Sequence, residues 1–477
     1  MKPIVLAYCL LQLLAAPLFA QKQKKIDPNE TISADSARNA ITSIVKELKR
    51  QHPGFFRYHD EADTDRYIDS VKASISAPPD QLAYFRKLKP IISRIGCLHT
   101  DLTLSEEYSA YLNSKPNLLP LRLFFSGDKA FITANYSGDN AIPIGAEVTC
   151  INGKSIKELH DKILPNIPSD GYNQTLKYQL LNNRTAHWYR SIIEVTDQFK
   201  VMINTVNGPK EFTLKGVLDK DIPKPEAMDF GTKPRLNFMV DGSLATLRIL
   251  SFANSGIKRG KQDFKKFIDD AFKQLKANGT KDLILDLRDN TGGTDANAAY
   301  LCTYLMDKPY RYWDHIEVTE GVAQEVKGVA TWFYKKPVKQ DSLYLWQKSW
   351  MTKEFDFYQP QKPHKNAYTG KLYVLINGLC MSSCADIAAV LHHNKRAIFI
   401  GEETGGGYHG NTSGMMPHAE LTFGITLSVP LQKYVNAVDP KLNIAHGTPP
   451  DVLITRTVND IINPKDLEME AALRLIK

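Results

Sequence analysis

Residues 372–407 read LYVLINGLCMSSCADIAAVLHHNKRAIFIGEETGGG. Leu372 to Ile376 is an unbroken apolar run, the mark of a strand buried on both faces, and Asn377-Gly378 ends it. Ala385, Ala388, Ala389 and Leu391 then recur at helical spacing, and a second apolar run covers 397–401. Ser382 and Ser383 therefore fall where a strand gives way to the first turn of a helix. Unpaired backbone N–H groups and the positive end of the helix dipole meet there. A hydroxyl at such a point can attack a carbonyl while neighbouring N–H groups hold the oxyanion. Serine is also a preferred helix N-cap, so the stretch alone leaves both roles open.

The N-terminus speaks to compartment. Lys2, an apolar stretch from Ile4 to Phe19 and the small residue Ala20 before QKQKK have the pattern of a secretory signal spanning 1–20. Gln12 and Pro17 interrupt the apolar run, and no later segment is long and apolar enough to span a bilayer. The expected location is thus exported, periplasmic or extracellular. The chain has 477 residues, too many for one core, so two or three domains are expected. A net charge of +8 with Lys and Arg scattered among Asp and Glu gives no nucleic-acid footprint. Beyond Cys9, the cysteines are Cys97, Cys150, Cys302, Cys380 and Cys384, an odd set with no CxxC pair. They make neither a disulfide framework nor a zinc site, and read as small core residues.

Three regions follow the leader. Residues 30–105 are helical in pattern: Ile41, Ile44, Val45 and Leu48 mark one face, with Ser33 or Asp35 as cap. Helices over 63–75 and 80–95 come next, and the region closes on Gly96-Cys97-Leu98-His99-Thr100-Asp101. Residues 118–217 are richer in strands. There Glu147 to Ile151, the Asn152-Gly153 turn and a helix start near Ser155 resemble the "GDxIxxINGxxV" signature of PDZ domains, which take peptides by strand addition. From 232 to 477 the pattern alternates as α/β. It holds a hairpin about Asp241-Gly242, a helix from Phe264 towards Asn278-Gly279, the buried strand Leu283 to Arg288 and a helix from Ala296 to Met306. Residues 310–368 read as an insertion with little periodicity, and the tail as β-rich, including Ile425 to Val429.

A second strand–turn–helix unit carries Asn290-Thr291-Gly292-Gly293, whose glycines can aim N–H groups into a cavity with no side chain in the way. LILDLRDNTGG resembles the "DLRxNxGG" motif of the C-terminal processing peptidases (tail-specific proteases), whose relatives include the tricorn core and the retinoid-binding repeats. CMSSCADIAAVLHHNKRAIFIGEETGGG resembles the same family's "SxxxE…aaaL…R…iGExTxG", and His446-Gly447-Thr448-Pro449-Pro450-Asp451 its terminal "GvxPD". The resemblance implies Ser382 as nucleophile, with Ser383 as the fallback and Asp386 in the acidic slot. It implies an oxyanion held by the backbone N–H of Ser383 and that of Gly292 or Gly293. The family's lysine base would stand at Gly407, so a Ser–Lys dyad is not expected. Gly96-Cys97-Leu98-His99-Thr100 is similar to the element from which the tricorn-like branch takes a histidine, implying His99 as base and His409 as runner-up. Asp101, Glu403 and Asp439 are the candidates to orient that base.

The expected fold is α/β: a crotonase/ClpP-like β-β-α core, a PDZ-like β-rich module and a helical N-terminal region. The expected function is an exported serine peptidase acting on unstructured or C-terminal polypeptide segments, without metal or organic cofactor. The alternatives are a non-catalytic ligand- or peptide-binding protein on the same fold, and an esterase. No oligomeric state is implied.

Overall fold

The computed structural model describes residues 27–224, 231–349 and 359–476; the leader expected at 1–20 lies outside them. Near the N-terminus, helix α1 (Ala34–Gln51) is capped by Ser33, whose side chain accepts from the Ser36 N–H at 3.1 Å. It buries Ala37, Ile41, Val45 and Leu48, one stripe at helical spacing. Helices α2 (Glu61–Ala73) and α3 (Gln81–Arg94) are capped in the same way by Asp60 and Asp80. The chain then turns at Gly96 (φ +72°) and passes His99 into a two-residue strand. That strand, Leu102–Thr103, pairs antiparallel with Leu427 and Thr426 of the tail. The N-terminal helices bury their stripes in the same apolar core as the C-terminal α/β part.

The middle region has its own core around Leu123, Ile132, Val148, Phe199 and Val201. Its strands are β1 (Leu121–Ser126), β2 (Lys129–Asn135) and β3 (Glu147–Ile151), followed by helices α4 (Ile156–Ile163) and α5 (Thr175–Asn183), then β4 (Gln198–Thr205) and β5 (Gly208–Lys215). They lie in the order β1-β2-β3-β4-β5, each neighbouring pair antiparallel. Asn152 and Gly153 both take positive φ (48° and 74°), as a tight hairpin turn requires, and Ser155 with Glu158 forms a capping box for α4. Edge strand β1 is not bare. The Asn182 side chain accepts the Phe125 N–H at 2.8 Å, and the Thr185 hydroxyl donates to the Leu123 carbonyl at 3.3 Å.

The C-terminal part begins with hairpin β6 (Leu236–Asp241) and β7 (Leu244–Ile249), helix α6 (Phe264–Ala277), strand β8 (Asp282–Asp286) and helix α7 (Asp295–Leu305). Next come β9 (Trp313–Val318), β10 (Lys335–Gln340) and β11 (Leu343–Gln347). The chain continues through β12 (Lys371–Ile376), α8 (Ser383–His393), β13 (Ile398–Gly401), β14 (Thr412–Ser413), β15 (Gln432–Asn436), β16 (Val452–Leu453) and helix α9 (Leu467–Ile476). The main sheet runs β16-β13-β12-β8-β7-β6, parallel except for the β6–β7 hairpin. Alternate residues face opposite layers: Leu283, Leu285, Val374 and Ile376 join the large core, whereas Ile284, Tyr373, Leu375 and Ile400 meet α9 through Ala471 and Ala472.

One expectation needs correction. Residues 310–368 are not a featureless insertion. β9, β10 and β11 pair with β14 and β15 in a second sheet of order β10-β11-β9-β15-β14. A bulge between Trp313 and His315, and a buried Glu317 ion-paired with Lys433 at 2.9 Å, break the alternation that would have shown the strand. The tail carries strands, with Thr426–Ser428 inside the stretch Ile425 to Val429, and closes in α9, whose small residues sit against the main sheet.

Leu285 is fully buried at the centre of the parallel ladder. Leu285→Ala is expected to lower unfolding free energy by about 2–5 kcal/mol, read as a shift in urea midpoint with unchanged m-value.

Candidate active site

The parallel ladder aligns Asp286 with Leu375, so the turns after β8 and β12 emerge side by side at the carboxyl ends of the strands. Two side chains and one backbone bond lock them together. Asn377 Nδ2 donates to Asp289 Oδ1 at 2.9 Å, and the Asp289 N–H donates back to Asn377 Oδ1 at 3.1 Å. The Met381 N–H donates to the Asn290 carbonyl at 3.3 Å. Asn290 is fully buried; it accepts from the Gly292 N–H at 2.8 Å and donates to the Ile249 carbonyl at 2.9 Å.

Ser382 stands at the N-cap position of α8 but does not cap it: its side chain makes no hydrogen bond to the helix. Its backbone lies at φ 53°, ψ −134°, a conformation that costs a non-glycine residue on the order of 1–3 kcal/mol. Such strain persists only where the surroundings enforce it, and here they do. A Cβ on Gly292 would come within 2.7 Å of Ser382 Cβ, and one on Gly406 within 3.1 Å of the Ser382 nitrogen. Gly406 is thus close-packed over the serine turn, with Gly405 against the Gly378 carbonyl. Ser383 points inward instead; it is 1 % exposed and its Oγ has no partner among the described residues. Its N–H, at the first position of α8, is free of the helix ladder. Of the two turn glycines, Gly292 gives its N–H to Asn290, which leaves that of Gly293 uncommitted among the described residues.

The His99 loop is tied to the glycine segment from the N-terminal region. The Leu98 N–H donates to Asp170 Oδ1 at 3.0 Å, and the Gly407 N–H donates to Asp170 Oδ2 at 3.1 Å. One buried carboxylate therefore makes both bonds, and burial pushes its pKa up to about 6. On the other side of the loop, Thr100 Oγ1 lies 2.8 Å from Nε2 of the buried His52, whose Nδ1 accepts the Gly54 N–H at 3.1 Å. Desolvation pulls the His99 pKa down to about 4, opposed by the Thr412 backbone carbonyl. The next residue back, Asn411, donates to both oxygens of Asp386 at 3.2 and 3.1 Å, one helical turn beyond Ser382. The Gly405–Thr412 segment is thus flanked by His99 on one side and by the helix of Ser382 on the other. Asp386 is buried, and its pKa is pushed up to about 8, first by desolvation and then by the Asp295 carboxylate.

None of the three expected orienting acids is bonded to His99, whose Nδ1 is enclosed without a partner among the described residues. Asp101 is ion-paired with the buried Lys89. Glu403 accepts from the Gly447 N–H at 2.6 Å and Asn173 Nδ2 at 3.0 Å. Asp439 accepts the Lys441 N–H at 2.9 Å, and its carbonyl lies 3.2 Å from His409 Nε2, which engages the runner-up base there. Asp170 and Asn411 escaped the sequence reading, which took Asn290 and Asn377 only as parts of turns. Asp170 and Asn411 are single polar residues whose partners lie far along the chain, with no local spacing to announce them.

The geometry supplies a helix-start serine that does not cap its helix, packed against a glycine-bearing turn. Residues 243–454 match the model of peptidase family S41. Mature CPAF complexed with lactacystin is a structural neighbour at TM-score 0.61 and 15% identity, with 93% of this chain and 97% of that one covered. The photosystem II D1 C-terminal processing protease (TM-score 0.40, 14% identity, 88% and 93% covered) and the tricorn protease (0.39, 14%, 93% and 36%) are also similar. No curated protein matches the chain.

Asp170→Asn would set an amide NH2 against one of two backbone donors. A stability loss of about 1–3 kcal/mol is expected in urea unfolding.

Proposed function

We propose that the protein is an exported serine peptidase in which Ser382 is the nucleophile and His99 the general base. The observation that carries this reading is the Ser382 conformation: a strained residue at a helix start, its hydroxyl withheld from capping and its backbone pressed against Gly292. Ser382 Oγ attacks the peptide carbonyl as His99 accepts its proton. The N–H groups of Ser383 and Gly293 stabilise the oxyanion, and the Gly292 N–H keeps the turn folded through Asn290. His99 then returns the proton to the leaving amine, and water releases the acyl-enzyme by the reverse steps. The substrate is an unstructured or C-terminal polypeptide segment, a reading that rests on the processing-peptidase resemblance. Export rests on the Lys2 to Ala20 pattern.

The PDZ-like reading of 118–217 supports strand addition only at a cost. The outward groups of Leu123 and Phe125 on β1 are already engaged by Thr185 and Asn182, which an incoming peptide must displace.

A fluorophosphonate probe should label wild type and fail on Ser382→Ala, with His99→Ala cutting kcat by about 10³-fold or more. Equal labelling of wild type and Ser382→Ala, or labelling of neither, would return the chain to a binding role. Because His99 must be neutral to act and burial holds its pKa down to about 4, the acid limb of kcat/KM should fall near that value rather than near 6.5. Activity thus persists at pH 5 and is lost as pH drops through 4; a limb centred above 6 would remove His99 from the role.

A further inference from the structure

The main sheet has a second end. Away from the serine turn, where β8, β12 and β13 begin, a cleft of about 790 Å3 opens between the end of α6 and the segments leading into β12 and β13. Its floor is apolar, made by Phe272, Leu275, Leu372 and the Tyr368 ring, all buried. Its rim carries Lys276, Lys281, Lys365, Lys371, Lys395 and Arg396, and no carboxylate is among the lining residues.

Several lysines elsewhere have acidic partners: Lys49 with Glu61 and Asp65, Lys157 with Asp161, Lys266 with Asp270. Among the described residues, the five rim lysines have no ion pair, and Lys276 reaches only Asn366 Oδ1 at 3.5 Å. Arg396 is half-buried and is held by carbonyls alone, Nε on Leu305 at 2.6 Å and Nη2 on Tyr368 at 2.7 Å. Desolvation draws its pKa down, and the Asp307 carboxylate opposes this without forming an ion pair. The Thr280 hydroxyl in the cleft wall is buried and has no partner among the described residues. Like charges gathered round a low-dielectric concavity repel one another and focus a positive potential, a cost an anion would remove. Lysines act as point charges for phosphate, and the volume suits a small molecule.

We propose that this cleft is a binding site for an organic anion bearing clustered phosphate groups, with the phosphates on the lysine rim and the apolar body on the Phe272–Tyr368 floor. The inference does not depend on the peptidase reading. The ligand is either a soluble polyphosphorylated compound or a lipid headgroup, and the two are separable by experiment.

Intact protein is titrated with tripolyphosphate by calorimetry at low salt, and sedimented with phosphatidylcholine vesicles with or without cardiolipin. Lys281→Ala/Lys395→Ala should weaken binding roughly tenfold, because two charge-assisted phosphate contacts are lost. Lys157→Ala/Lys266→Ala, which removes the same charge elsewhere, should leave it unchanged. All four lysines are exposed, and matching melting temperatures confirm folding. Tripolyphosphate binding without vesicle binding assigns a soluble ligand; cardiolipin-dependent sedimentation sensitive to the cleft pair assigns a headgroup. Absence of both, or equal weakening by the two double variants, overturns the proposal.

Discussion

The pairing of β8 with β12 is the constraint from which the rest follows. Two parallel strands in register bring two turns, nearly ninety residues apart in sequence, to the same height above the sheet. Parallel strands alone would leave those turns free to splay. The Asn377–Asp289 exchange and the Met381 bond to Asn290 prevent it. These bonds help hold Ser382 in a backbone conformation that costs a non-glycine residue on the order of 1–3 kcal/mol.

Much of this was legible in the sequence because it depends on local pattern. Apolar runs bounded by glycine and asparagine marked β8, β12 and β13, and helical spacing with a capping residue marked α1 and α3. Ser382 was legible by its place at a strand–helix junction. What stayed hidden depends on partners distant in sequence. Nothing around Asp170 distinguishes it from a surface turn residue, yet it accepts bonds from positions 72 and 237 residues away. β9 was obscured by its bulge and buried charge, and the engagement of Asp101 by Lys89 could not be foreseen because lysine is seldom buried.

The two titrating groups nearest the site move in opposite senses for one reason. Burial disfavours charge, so His99 is held neutral and Asp386 is held protonated near neutral pH. A site built this way carries little net charge of its own in the resting state.

The Asp170 bridge has a bearing on biosynthesis. It joins the N-terminal region, the middle region and the C-terminal part at one carboxylate, through contacts 72 and 237 residues apart in sequence, the long-range kind that slows folding. A chain whose C-terminal half is unmade has His99 but neither Ser382 nor the glycine segment that Asp170 holds. On the proposed reading, hydrolytic competence is thereby coupled to completion of the polypeptide, a safeguard for the cell that makes it.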